Sequence, residues 1–444
     1  MKITSSYKIL LRGITTLLQP TVKIYRDALA FLVGVCDAEW DDIVAVEGNQ
    51  QRQLFVERLV HNTKNRQAKY PAFDKSFYKM PSYLRRAAIS EALGAVSSYR
   101  SNHANWVAGG KVGGEPKLQC DRNAMPTFFR GNMHLESDDP NAAHLKLFVN
   151  GDWVWVKVSL RVSDVRYLKR YWSHVKASAP TLEKRYGKYY LRFAFEESVA
   201  LSDTPVADKR ICAVDLGLNS DAVCNIMCSD GAILARKFIN FPSEKDHLYT
   251  LLNRIKRFQR EHGSHDVGSL WAYAKRCNHE LAIKIAQAIT DFAVLYSADV
   301  IVFEYLDFKG KKKKRKSKRQ KLHMWKKNGI QELVTHKAHR CGIRISRICA
   351  WGTSKLAFDG SGEVERDKNN YALATFKNGK RYNCDLSASY NIGARYFIRE
   401  LLKSLPATAE SQIGAKVPTA ARRTNCTYAT LLQLNAALPE LLAA

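Results

Sequence analysis

The sequence predicts an α+β chain of several domains, and three observations lead there. A helix-patterned block covers about residues 22–106. A block of alternating, turn-punctuated strands follows over about residues 115–200. Beyond it, short apolar strands that carry single acids are separated by long helical stretches. With 444 residues the chain has room for two to four domains. Its 46% hydrophobic content is that of an ordinary folded soluble protein.

Each element follows from its local pattern. ITSSYKILL alternates weakly and reads as a strand. TVKIYRDALAFLVGVCDAEWDDIVAV, NQQRQLFVERLVHNT and SYLRRAAISEALGAVSSYRSNHANWV place apolar residues at helical spacing. In the last two, the arginines fall on what should be the polar side. GGKVGGEP is a flexible break. HLKLFVNGDWVWVKVSL is two strands joined at Asn150-Gly151, the strongest short hairpin signal. TLEKRYGKYYLRFAFEES repeats the device around Gly187. The block is expected to be a small β-barrel or sandwich. Its interleaved aromatic and basic residues suit a nucleic-acid surface, or the aromatics form the core of the block itself.

KRICAVDLGLNSDAVCNIMCSDGAILARKFI reads as a strand ending in Asp215, a tight turn through Gly217, a second strand, a turn at Asp230 and Gly231, and a third strand. Helical segments occupy about 247–297. ADVIVFEYLDF is a buried-type strand with Glu304 near its end. In the next thirteen residues, 309–321, ten are Lys or Arg, and the run must be solvated. A helix over about 322–341, the strand GIRISRICA and a hairpin region turning at Asn378-Gly379 come next. YNCDLSASYNIGARYF then places Asp385 at the head of a helix. Beyond Leu405 a disordered linker is expected, and TYATLLQLNAALPELLAA forms a short amphipathic helix.

Charge narrows the partners. Seventy Lys and Arg face 42 Asp and Glu, a net charge of +28. A polyphosphate partner explains such an excess, because each phosphate neutralised releases condensed counterions. A ribosome-associated protein or one that binds anionic membranes is the blander reading. No signal peptide is evident and no membrane span is expected. The ten cysteines are scattered without a C-x-x-C pair, which points to free thiols in a reducing cytoplasm.

Three acids stand out by setting. Asp215 and Glu304 sit in apolar strands, where a carboxylate is expensive unless paired or holding a cation. Asp385 could simply cap its helix, since Asp is a preferred N-cap. Asp215 could be a turn residue and Glu304 could pair with the basic run. Their order along the chain is that of the RNase H-like nucleases. In that fold, sequence-distant carboxylates converge on one sheet edge and hold two Mg²⁺ about 3.5–4 Å apart. Carboxylates suit Mg²⁺, a hard cation that prefers oxygen.

The sequence resembles the transposon-encoded TnpB proteins and the compact type V CRISPR effectors. AVDLGLNSDAVCNI is similar to their first RuvC motif, IVFEYLDF to the second and NCDLSASYNIGARYF to the third, usually D-x-N-A-A-x-N-I. The likeness extends over about residues 1–403, with its specific motifs in 209–397. It implies an RNase H-like (RuvC) α/β nuclease domain with a wedge β-barrel and an inserted helical recognition lobe. On that basis the chain divides into a wedge strand (1–15), the recognition lobe (16–114) and the wedge barrel (115–207). The RuvC segment with the first two motifs (208–352) includes a basic lid at 309–321. A zinc-less hairpin that loads target nucleic acid (353–382), the third motif (383–404) and a partly disordered tail (405–444) complete it.

The resemblance implies Asp215, Glu304 and Asp385 as catalytic residues and Mg²⁺ ligands. Two departures matter. Ser387 stands where the third motif usually has Asn, with a modest expected effect. The family's four-cysteine zinc ribbon follows a T-S-x-x-C run, and here TSKLAFDGSG keeps Thr353 and Ser354 without the cysteines. Only Cys349 and Cys384 flank the region, so no zinc is expected.

The implied activity is guided DNA cleavage. A guide RNA pairs with double-stranded target DNA beside a short protein-read motif, and one RuvC site cuts by Mg²⁺-dependent hydrolysis. Lys311, Lys312, Lys313, Lys314, Arg315, Lys316, Lys318 and Arg319 are the expected grip on a phosphate backbone. The protein would act in a prokaryotic cytoplasm, nucleoid-associated through DNA, as monomer or homodimer. A guide-independent RuvC-type nuclease would use the same acids, and a guided DNA-binding regulator would not need them. A transposase forming a tyrosyl–DNA bond would want a His-x-His pair, and HGSH at His262 and HKAH at His336 have the wrong spacing.

Overall fold

The computed structural model describes residues 1–444 except 218–219, 263–266, 306–326, 368, 405–412, 414–415, 421–423 and 444. The chain forms two compact units, Lys2–Glu197 and Ser198–Ala444, with Met1 belonging to the second. Among the described residues no helix is long and apolar enough to cross a membrane.

In the N-terminal unit β1 (Lys2–Arg12) leads into two long helices, α1 (Thr15–Ala38) and α5 (Ser82–Ala108). The shorter α2 (Trp40–Ala45), α3 (Asn49–Val60) and α4 (Ala72–Ser76) lie between them in sequence. Their apolar faces do not make a separate lobe. Tyr25, Leu29, Leu32 and Leu84 from the helices share one core with Phe128, Leu145, Leu147 and Leu191 from the β-block. The seam carries polar ties as well. Thr21 Oγ1 accepts the Phe148 N–H at 2.8 Å, and Arg26 Nε donates to the Ala124 carbonyl at 2.9 Å. One arginine departs from the expected polar side: Arg85 is buried, and its guanidinium meets the buried Glu57 carboxylate at 2.8 Å.

The β-block is a six-stranded sheet in the order β2-β3-β4-β1-β6-β5. Here β2 is His134–Glu136, β3 Ala142–Val149, β4 Asp152–Leu160, β5 Thr181–Arg185 and β6 Lys188–Ser198. Asn150 (φ +50°) and Gly151 (φ +87°) make the two-residue turn between β3 and β4, both in the left-handed region such hairpins need. The expected barrel does not close as a continuous ladder among the described residues. Instead the edge strands meet the 127–130 segment through single bridges, Thr127 with Thr181 and Arg130 with His134. A helix, α6 (Val162–Trp172), also interrupts the strands. Its apolar side, Val162, Val165, Leu168 and Trp172, has helical spacing inside a stretch read as β.

The C-terminal unit is built on a five-stranded sheet in the order β11-β10-β7-β8-β9. β7 (Arg210–Asp215), β8 (Ala222–Cys228) and β9 (Ile233–Ile239) form an antiparallel meander. β10 (Val300–Tyr305) and β11 (Arg344–Cys349) add in parallel beside β7. Parallel strands covered on both faces read as continuous apolar runs, as RICAVD and VIVFEY do. Alternation splits them. Cys212, Val214, Ile301 and Phe303 face α8 (Gly268–Leu295) and α9 (Lys327–Arg340), through Ile285, Ile289 and Val334. Ile211, Ala213, Val300 and Val302 face α10 (Cys384–Ser404) and α11 (Tyr428–Ala443), through Tyr390, Phe397 and Leu431. α7 (Pro242–His262) packs on α8.

Two parts of this unit differ from expectation. Much of the expected disordered linker (405–412, 414–415 and 421–423) lies outside the described residues, and the described residues beyond Leu405 pack on the unit. Ile413, Val417 and Ala420 are buried against Leu402 and Ala437, and α11 contributes Leu431 and Leu434 to the core. The 353–382 region is a small sheet of β12 (Glu365–Arg366), β13 (Leu373–Thr375) and β14 (Arg381–Asn383). Its own core is Ala357, Ala374, Phe376 and Cys384, capped by Phe358 and Tyr382. The Phe358 ring lies 4.9 Å from Tyr382 and 5.3 Å from Tyr390. Aromatic packing thus tethers the hairpin to α10.

Candidate metal centre at the sheet edge

Strand register sets the first two acids. Val300, Ile301 and Val302 of β10 stand opposite Ile211, Cys212 and Ala213 of β7. The β10–β7 pairing ends at Val302 and Ala213; Glu304 and Asp215 each lie two residues further on, at the carboxyl ends of these adjacent parallel strands. Period-two alternation puts both on the face covered by α10, together with Val302 and Ala213. Open parallel sheets bind ligands beyond these strand ends.

The third acid arrives with α10, which crosses that face very closely. A Cβ at Gly393 would lie 2.9 Å from Met227 Sδ and 3.3 Å from Ala213 Cβ, so glycine permits the approach. The helix thereby delivers Asp385 to the turn after Asp215: a Cβ on Gly217 would be 3.8 Å from Asp385 Oδ2. Asp385 does not supply the helix cap. Asn383 Oδ1 accepts the Leu386 N–H at 2.9 Å and takes that duty. Burial pushes the Asp385 carboxyl above its usual range, with the exposed Arg366 guanidinium pulling the other way.

Glu304 is only 8% exposed. The Thr353 hydroxyl donates to its Oε1, and Gln331 Nε2 donates to its backbone carbonyl at 3.1 Å. Arg347 Nε holds Gln331 Oε1 at 3.1 Å. The buried Arg395 guanidinium is close enough for the Glu304 charge to act on it. Among the described residues no three His, Cys, Asp or Glu side chains close into a finished ligand cluster. The donor set still fits a hard divalent cation. It consists of carboxylate oxygens, and the cost burial imposes on charged Asp385 is one that a cation relieves.

Sequence reasoning proposed the three acids and did not single out the residues around them. Thr353 was visible only as half of a T-S pair; its service to Glu304 needs a contact 49 residues away. Asn383, Arg366 and Arg395 carried no local signal that set them apart, and Asn391 stood out only as the second Asn of the third motif. Ser387, the departure from the third motif, accepts the Phe358 N–H at 3.2 Å and so supports the hairpin. The eight basic residues from Lys311 to Arg319 lie outside the described residues. All ten cysteines are free thiols, with Cys384 inside the hairpin core and Cys349 exposed.

Comparison with known proteins adds three findings. The model of the Aq_aa04 family matches residues 3–149. Over 233 residues the chain is 26% identical to the TnpB-like protein aq_aa05 of Aquifex aeolicus (strain VF5), covering 47% of this chain and 74% of that protein. The fold is similar to that of Cas12f1 in its complex with sgRNA and target DNA. The TM-score there is 0.50 at 13% identity, covering 95% of this chain and 82% of that one. It is also similar to the mini-RNA-guided endonuclease CRISPR-Cas_phi3, with a TM-score of 0.52 at 9% identity, covering 88% and 92%. The chain therefore resembles a TnpB-like protein in sequence and compact CRISPR effectors in fold.

Proposed function

We propose that this protein is an RNA-guided DNA endonuclease whose C-terminal unit is an RNase H-like (RuvC) nuclease domain. The observation that carries the reading is that β7 and β10 are adjacent parallel strands with Asp215 and Glu304 at their carboxyl ends, while α10 brings Asp385 to the Gly217 turn. Asp215, Glu304 and Asp385 would hold two Mg²⁺ ions. Bound there, such ions lower the pKa of a water and stabilise the leaving 3′ oxygen of a phosphodiester. The chain's own part is to fix the carboxylates: Thr353 orients Glu304, Asn383 leaves Asp385 free of capping, and Arg366 offers a guanidinium to the phosphate.

The N-terminal unit supplies the nucleic-acid surfaces on this reading. Tyr7 and Tyr167 stack at 4.5 Å, and Tyr171 continues the row at 4.8 Å. Arg166, Lys169 and Arg170 are exposed beside them on α6, and Arg170 lies over the Tyr171 ring. Aromatic faces interleaved with cations suit unpaired bases and their backbone. Replacing Tyr167 and Tyr171 by alanine is expected to weaken RNA binding by about 1–3 kcal/mol per stacked base. Filter binding against the purified RNA checks this, with unchanged thermal stability as the control.

The direct test is to purify the protein from cells carrying its native locus and sequence the RNA that accompanies it. A discrete RNA with a constant scaffold and a variable end is the expected result. The variable end names the DNA to cut. Heterogeneous fragments, with cutting that survives RNA removal, would overturn guided targeting and leave a guide-independent nuclease.

A further inference from the structure

The residues behind Glu304 form a buried polar clamp. Thr353 is 1% exposed, and its hydroxyl faces both Glu304 Oε1 and the Ala350 carbonyl, the latter at 3.1 Å. A hydroxyl has one proton, and the charged carboxylate is the stronger acceptor. The Thr353 backbone is held in turn. Asn391 Nδ2 donates to the Thr353 carbonyl at 3.0 Å and to the Leu356 carbonyl at 2.9 Å. One helical turn on, Arg395 donates to the carbonyls of Cys349 at 2.9 Å and Trp351 at 2.7 Å. The turn carrying Thr353 is thus gripped from α10 on both sides.

The same two side chains reach the C-terminal segment. Asn391 Oδ1 accepts the Tyr428 N–H at 3.0 Å, and Arg395 donates to the Thr424 carbonyl at 2.8 Å and the Cys426 carbonyl at 2.9 Å. Both are buried, and every nitrogen of Arg395 and both polar atoms of the Asn391 amide find a partner inside the protein. Such networks specify one geometry because any half-made version is costly.

We propose that Thr353 is a positioning residue for Glu304, and that Asn391 and Arg395 hold it in place while anchoring the C-terminal segment to the same turn. The proposal rests on Glu304 being a cation ligand. Groups that orient a metal-binding carboxylate set the affinity of the site, by about 10–100-fold when lost. The retention of Thr353 without the zinc-binding cysteines then has a reason: its task is at the carboxylate. Asn391, in the third motif, connects that motif to the second through Thr353.

The test reads cation binding rather than cutting. Mn²⁺ is titrated into the RNA-bound full-length protein without DNA, and free Mn²⁺ is followed by electron paramagnetic resonance. Thr353→Val keeps the side-chain shape and removes the hydroxyl; it should weaken Mn²⁺ binding by about 10–100-fold. Thr353→Ser should restore it, with melting temperature alike in the two variants. Asn391→Ala should weaken binding in the parent and add little in the Thr353→Val background, since both act on one geometry. Unchanged Mn²⁺ binding in Thr353→Val, while Glu304→Gln abolishes it, would overturn the positioning role. Fully additive effects would overturn the Asn391 link. If Glu304→Gln itself leaves binding intact, the ligand reading of Glu304 is what fails.

Discussion

Asp385→Asn is expected to lower DNA cleavage by roughly 10³-fold or more, the several kcal/mol a metal clamp supplies, while RNA and target binding persist. The substitution keeps the side-chain shape and removes the charge that, on the proposed reading, would hold a hard cation. The fold should tolerate it, because Asn383 rather than Asp385 accepts the Leu386 N–H at the helix start. Burial already disfavours a charged Asp385, so the neutral amide relieves a cost instead of adding one. Asn383→Ala gives the complementary result: about 1 kcal/mol of stability lost with the cap and the cation site left in place. Chelation of divalent ions should reproduce the Asp385→Asn phenotype in the parent. Single-turnover cleavage, gel-shift binding and thermal melts on both variants separate the roles. A cleaving but unstable Asp385→Asn protein would mean that the carboxylate serves the helix and not the reaction.

That pair of residues shows what the sequence could and could not disclose. An acid at the end of RICAVD or inside VIVFEY is costly there, so Asp215 and Glu304 announced themselves from local pattern alone. At the head of α10, Asn383 and Asp385 are equally good caps on paper. Only the hydrogen bond from Leu386 assigns the cap to one and releases the other. The positions of most strands were legible from apolar runs and turn residues, but α6 was not. Its stripe of Val162, Val165, Leu168 and Trp172 lay between strands rich in the same residue types. The C-terminal segment read as polar and loose, because its anchors are backbone carbonyls bonded to Arg395, which no side-chain pattern reveals. Arg85 was misplaced for a similar reason: periodicity assigns arginine to water, and a buried carboxylate on a neighbouring helix overrides it.

Glu57→Leu is expected to be the most damaging single change in the N-terminal unit. Arg85 Nη2 and Nε reach Glu57 Oε1 at 2.8 and 3.2 Å, and Arg86 Nε reaches Oε2 at 2.9 Å. Glu57 is 7% and Arg85 6% exposed, so removing the carboxylate strands a guanidinium between α3 and α5. Breaking such a buried pair costs about 3–5 kcal/mol, or roughly 6–20 °C in melting temperature for a unit of this size. Replacing both partners, Glu57→Leu with Arg85→Met, should recover most of it, because neither desolvated charge remains. Arg86 is half-exposed and can turn to water. The pair also sets an acid limit. Burial alone would raise the Glu57 carboxyl, but the hydrogen bonds and charges of Arg85 and Arg86 outweigh it and hold the folded value below the ordinary one. The stabilisation is therefore complete above the unfolded value of about 4.3 and is lost as pH falls through the depressed folded value. The double variant should lack this acid-side loss. Thermal melts of the three proteins across pH 2–6 decide it: a single variant as stable as the parent would show that Arg85 finds other partners when Glu57 is gone.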